Sequence, residues 1–96
     1  MLFAIVGLYK KNAEARLLEI SRDVNEYLGQ LNAPPRLAGV LRGRNGEHIG
    51  NLMLIEAAGF DVAEARLRES PALNAGLYER AQVAKLDIEI GDLKAD

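Results

Sequence analysis

Few side chains in this sequence could carry proton or nucleophile chemistry, and they are widely spaced. His48 is the only histidine, and histidine is the one residue type whose unperturbed pKa lies near neutrality. Any Ser-His-Asp arrangement would have to use it, and two or more histidines cannot gather around a metal. His48 follows Asn45-Gly46-Glu47 at the start of a strand pattern. A hairpin-tip histidine is expected to be solvated and far from a cleft. Tyr9 and Tyr78 end or precede strand patterns, at what should be one end of the same sheet. A phenol there can donate to a ligand while its ring packs on the rim. The chain has no cysteine, which excludes disulfides, zinc fingers, thiolate nucleophiles and thiolate-held iron–sulfur clusters. Gly43, Gly46 and Gly50 match no phosphate-loop pattern. Glu64 and Glu69 lie on a short polar helix face, without the convergence that a metal or a carboxylate pair requires.

These residues sit in a chain of 96, about half of it hydrophobic. That length is one domain over residues 1–96, with a core expected over about 1–91. A chain this short buries only about 60–65% of its unfolded surface, so association would help it. The formal net charge is −2, from 12 basic and 14 acidic residues. The signs are interspersed, which gives no footprint for nucleic acid. The apolar opening Leu2-Phe3-Ala4-Ile5-Val6 is too short to span a bilayer and has no basic stretch before it. The expectation is a soluble, cytoplasmic protein with no nucleic-acid or membrane partner.

Leu2 to Tyr9 is a nearly continuous apolar run, which reads as a strand buried on both faces. Asn12 is placed as the N-cap of a helix of about 20 residues. Its apolar stripe is Ala13, Leu17, Ile20, Val24, Tyr27, Leu28 and Leu31. Pro34-Pro35 ends it. Two strands follow, Arg36 to Gly43 and His48 to Glu56. Asn45-Gly46 between them is expected to turn with both residues at positive φ. A second helix starts at Phe60 with Asp61 as its cap. Ser70-Pro71 breaks it and begins a further turn, stopped by Gly76. The final strand is expected over Val83 to Ile90, at an edge.

The order β-α-β-β-α-β is the split βαβ arrangement, so the fold class is α+β, ferredoxin-like. Right-handed crossovers put the first and third strands in the middle, and these are the two strands apolar on both faces. Two helices cover one face only. The other would leave apolar neighbours of Phe3 and Met53 in water. A homodimer through the sheet face, a dimeric α+β barrel, is therefore expected.

The pieces, in this order and spacing, resemble the YCII-related family of dimeric α+β barrels. They are Met1 to Val6, Glu26-Tyr27-Leu28, Leu37-Ala38-Gly39, Ile49-Gly50-Asn51-Leu52, Ala63-Glu64-Ala65-Arg66, and Ser70-Pro71 through Ala75-Gly76-Leu77-Tyr78-Glu79. The resemblance implies a histidine in the first helix paired with an aspartate before the proline that ends the second. Such a pair would act as acid and base on a small molecule of the aromatic- or lactone-catabolism kind. Here those positions hold Val24 and Ser70, so no catalytic residue carries over.

The ligand-binding candidates are Ser70, Arg22, Tyr9 and Tyr78. Ser70 offers a hydroxyl at the family's acid position, or caps the Pro71 turn. Arg22, beside Asp23, could pair with an anionic or phenolic ligand at the cleft mouth, or be a solvated charge. No metal and no cofactor is expected, because haem would find no axial ligand in the cleft. The functional expectation is a small-molecule-binding protein, an enzyme with a rebuilt site or a non-catalytic homodimeric binding or accessory protein.

Overall fold

Two strands take the centre of this fold, because strands that are apolar on alternate and intervening residues alike suit a position with a neighbour at each edge. The computed structural model describes residues 1–29 and 34–93. The elements run β1 (Leu2–Tyr9), α1 (Glu14–Glu19), α2 (Ser21–Gly29), β2 (Leu37–Arg42), β3 (His48–Glu56), α3 (Phe60–Arg68), α4 (Pro71–Asn74) and β4 (Tyr78–Leu86). The four strands form one sheet in the order β2-β3-β1-β4, and every neighbouring pair is antiparallel. This is the ferredoxin-like α+β arrangement, with the two apolar strands inside.

The pairing fixes two faces. Phe3, Ile5 and Gly7 of β1 lie opposite Ile55, Met53 and Asn51 of β3, and this set faces the helices. Phe3, Ile5, Ile55 and Ala63 form one buried cluster, with Met53, Leu67 and Val83 against it. Ala63 is fully buried, so α3 sits close on the sheet. Phe60 closes the edge of the cluster, its ring T-shaped on Phe3 at 4.9 Å. A second cluster of Ile20, Ala72 and Leu77 gathers Tyr9, Leu17, Val24 and Tyr78. The other face carries Leu2, Ala4, Val6 and Leu8 of β1 opposite Glu56, Leu54, Leu52 and Gly50 of β3, with no helix over it.

Several local expectations are corrected. The first helical region is two helices, meeting at Ile20, whose backbone (φ −97°, ψ 6°) leaves helical geometry. The Ser21 hydroxyl donates to the Leu18 carbonyl at 2.9 Å, and such back-bonding competes with the helical ladder and bends it. Asn12 is not the N-cap. It adopts φ 64°, a left-handed conformation that asparagine tolerates but a cap does not use, and Ala13 holds the cap position. Leu31, the last position on the expected apolar stripe, lies outside the described residues. Gly59 rather than Asp61 caps α3, and Asp61 stands in the first turn, where a carboxylate complements the helix dipole.

The hairpin also differs. Only Gly46 takes positive φ, at 83°, and Asn45 does not. Gly46 N–H donates to the Gly43 carbonyl at 3.0 Å, and Gly43 N–H to the Glu47 carbonyl at 2.9 Å. That is a three-residue loop with a left-handed glycine at its end. The last strand starts at Tyr78 and stops at Leu86. It cannot run to Ile90, because Leu86 pairs with Leu2 and β1 ends there. Ile90 is consequently 96% exposed.

Phe3 and Ile55 are the largest fully buried side chains. Phe3→Ala is expected to cost about 3–5 kcal/mol through lost transfer energy and a cavity. The check is the urea midpoint followed by circular dichroism, against a control substitution at exposed Leu18.

Candidate functional site

Between the two core clusters lies a cavity of about 330 Å³. Its sheet wall includes Ile5, Ala38, Val40, Asn51 and Met53, and its helix wall includes Val24, Tyr27, Leu28, Leu67 and Ser70. Most of this lining is hydrocarbon. The polar groups collect where β1 ends and β4 begins, at Tyr9, His48, Asn51 and Tyr78.

Two irregularities in the sheet aim these side chains. The β1–β4 register slips between Leu8 and Tyr9, so that Leu8 faces Arg80 and Tyr9 faces Tyr78. Glu79 is the extra residue. Strict alternation would have pointed Glu79 into the cavity; the bulge brings Tyr78 in its place. The β2–β3 register slips likewise, with Leu41 opposite Gly50 and Arg42 opposite His48. Ile49 is the extra residue there, and His48 turns to the cavity side.

Tyr9 and Tyr78 stack with ring centroids 5.2 Å apart and planes within 6°. Asn51 joins them. Its side-chain N–H₂ donates to the Tyr78 hydroxyl at 2.9 Å and to the Tyr9 hydroxyl at 3.1 Å, and its Oδ1 accepts from the Tyr78 hydroxyl at 3.1 Å. Gly7 makes room for the stack, because a Cβ on Gly7 would run into the Tyr78 ring. Burial pushes the Tyr9 phenol from 10.0 up to about 12; the neighbouring Tyr78 adds to this, and the hydrogen bond from Asn51 offsets a part. Tyr27 ties the helices together by donating to the Arg66 carbonyl at 2.8 Å. Burial raises its pKa as well.

Three of the four ligand-binding candidates, Tyr9, Tyr78 and Ser70, line the cavity. Ser70 holds the N-cap position of α4 with Pro71 in the first turn, as expected, and its hydroxyl makes no cap hydrogen bond. Arg22 is not brought to the cavity. It pairs with Glu26 at 3.3 Å, with 88% of its side chain exposed, and Asp23 is likewise exposed. His48 departs furthest from expectation. It is half-buried in the cavity wall instead of solvated at a hairpin tip, because the Ile49 bulge reverses its side. Asn51 was missed altogether. Its signal was a lone amide inside the apolar run Ile49 to Ile55, a position where a polar side chain requires partners.

Among the described residues, no three His, Cys, Asp or Glu side chains converge as a metal site, and no helix is long and apolar enough to cross a membrane. The match to known families decides the affiliation: the YCII-related domain spans residues 1–87. The chain belongs to the YCII-related family. Val24 and Ser70, where the family resemblance implies an acid–base pair, both line the cavity. Among solved structures, this YCII-related chain is similar to the 5-chloro-2-hydroxyhydroquinone dehydrochlorinase TftG from Burkholderia phenoliruptrix AC1100, in complex with 2,5-dihydroxybenzoquinone. The TM-score is 0.81 at 21% identity, over 91% of this chain and 94% of that one. That likeness establishes the shared fold. No curated protein sequence matches the chain.

A raised phenol pKa has a defined consequence for stability. The folded state holds Tyr9 neutral, so its contribution is fully present below the unfolded value of 10.0 and is lost as pH rises through about 12. Denaturant midpoints are expected to fall across this interval. Tyr9→Phe should flatten the fall without abolishing it, since Tyr27 is raised too.

Proposed function

We propose that this protein binds a small, planar, oxygen-bearing molecule of the hydroxyaromatic or hydroxyquinone class in the cavity between its sheet and helices. The observation that carries this reading is the Tyr9–Asn51–Tyr78 stack at one end of an otherwise apolar cavity. An apolar slot with a few convergent polar groups at one end is the usual form of a small-molecule site, and about 330 Å³ suits a ligand at the small end of the ordinary range of roughly 300–1,000 Å³. Flat rings lying against flat rings favour an aromatic or quinonoid partner. Phenol and amide dipoles favour one with oxygen at its edge. The 2,5-dihydroxybenzoquinone held by the similar TftG structure is a compound of this class.

The helix wall offers hydrocarbon at Val24 and only a hydroxyl at Ser70. A reaction that needs an imidazole–carboxylate pair on that wall therefore has no support here. This observation favours a second reading, a non-catalytic binding or accessory protein using the same cavity.

Titration with 2,5-dihydroxybenzoquinone, followed by amide chemical shifts, tests the binding. Shifts are expected at Tyr9, Asn51 and Tyr78. Asn51→Ala should weaken binding about tenfold, because it releases the two phenols that Asn51 holds in place. Binding that ignores Asn51, or shifts confined to the outer sheet face, would sink the reading. Installing Val24→His with Ser70→Asp separates the two versions. Gained turnover on hydroxyquinones favours a catalytic ancestry for the cavity; a folded, binding, inert double variant favours the accessory role.

We also infer that the uncovered sheet face mates with a second copy, forming the dimeric barrel. Leu2, Ala4, Val6 and Leu52 are each partly exposed on that face, and a run of apolar side chains there asks for cover. Light scattering is expected to give twice the chain mass. Ala4→Lys, at the middle of that face, should shift the mass towards a monomer; an unchanged mass would count against this face.

A further inference from the structure

The cavity wall opposite Val24 and Ser70 carries a group that the family pattern does not assign. His48 is turned inward by the bulge at Ile49. Its ring meets Tyr9 edgewise, with centroids 5.0 Å apart and planes at 82°. Tyr9 therefore has Tyr78 stacked on it and His48 standing against it. The His48 Nε2 is shielded from solvent and has no hydrogen-bond partner among the described residues. Buried polar atoms in folded proteins are nearly always paired, and an unpaired one at a cavity points to a partner that arrives from outside. Imidazole is also the one side chain that accepts or releases a proton near neutral pH without special tuning.

We propose that His48 is the ligand-contacting acid–base group of this cavity. Its Nε2 accepts the hydrogen bond of a phenolic or enolic hydroxyl on a ligand lying against Tyr9. Resting on the reading of the cavity as a ligand site, the proposal moves its proton chemistry from the helix wall to the sheet wall. The step balances simply: the ligand O–H bond breaks, the Nε2–H bond forms, and an imidazolium faces a ligand oxyanion. The pair forms in a water-poor site, where a hydrogen bond to charge is stronger than in bulk. Asn51 cannot do this work, since an amide does not take up the proton and its own groups already serve Tyr9 and Tyr78. The ligand class narrows accordingly, to molecules with an ionisable hydroxyl on a planar frame.

His48 is the only histidine, so its imidazole nitrogen signals are unambiguous. Isotope-labelled protein is titrated with para-nitrophenol, whose anion absorbs visible light and whose neutral form does not. The expected result is a shift of the His48 Nε2 resonance at saturation, together with an anion band from bound probe. His48→Gln, which keeps size and hydrogen bonding, should still bind the probe but show at least a fivefold smaller anion band. Cavity amides that shift while the imidazole stays unmoved would overturn the proposal and leave the ligand site standing. So would an anion band of equal strength in His48→Gln. If neither amides nor imidazole respond to para-nitrophenol or to 2,5-dihydroxybenzoquinone, the site reading falls and this inference falls with it.

Discussion

An amide in the middle of an apolar sheet sets the terms for this cavity. Asn51 stands on a central strand, between Ile49-Gly50 and the run Leu52 to Ile55. Left without partners, such a group costs about 1–3 kcal/mol. Two phenols satisfy it, and meeting that demand constrains everything nearby. Tyr78 has to face inward, which requires the extra residue at Glu79. Its ring has to lie on β1, which requires the missing side chain at Gly7. Tyr9 then closes the stack from the end of its strand. The polar end of the cavity is thus a single hydrogen-bonded unit of three side chains on three adjacent strands, assembled by the protein's own contacts. Preorganisation of this kind reduces what binding loses to side-chain ordering.

The helices complete the enclosure from the other side. The break at Ile20 lets that residue enter the second core cluster while α2 carries Val24 and Tyr27 to the cavity. Tyr27 then ties α2 to the end of α3 through the Arg66 carbonyl. The sheet end furthest from the cavity is closed differently, by exposed charges. The Met1 ammonium and Arg36 both reach Glu56, and Arg36 also donates to the Leu93 carbonyl at 3.4 Å. Exposed pairs of this kind contribute little each. Stability therefore rests on the clusters around Phe3 and Ile20, and the cavity is the gap that these two clusters leave between them.

Much of the architecture was legible in the sequence. The doubly apolar runs at Leu2 to Tyr9 and Leu52 to Ile55 named the central strands, and Ser70-Pro71 with Gly76 marked the short helix. Both signals are local, so single-sequence reasoning reaches them. The site was legible only in part. Tyr9, Tyr78 and Ser70 were placed by their positions at element ends, and those ends do converge. His48 and Asn51 were not. Asn51 follows the plain alternation of Met53 and Ile55, and its partners come from two other strands, while the side His48 faces depends on register. Side chains alternate strictly along a strand only while the ladder is regular. One extra residue at Ile49 and another at Glu79 reverse the alternation locally, and neither leaves a compositional mark. Arg22 erred in the other direction, since helical proximity to Val24 says nothing about which side of the helix faces inward.

The bulge at Ile49 has an evolutionary corollary. It is a one-residue insertion that the sheet tolerates, because pairing from Gly50 to Glu56 proceeds undisturbed beyond it. Removing the Ile49 codon would leave His48 directly before Gly50, where simple alternation also turns the imidazole to the cavity. A ladder that kept Ile49 paired would instead turn Ile49 inward and His48 outward. Which of these two adjacent side chains enters the cavity is therefore set by whether the sheet pairs or loops out Ile49, without substituting any residue that lines it. Two relatives with the same residues in the same columns could thus present different side chains to the cavity, a difference that a column-by-column alignment does not record.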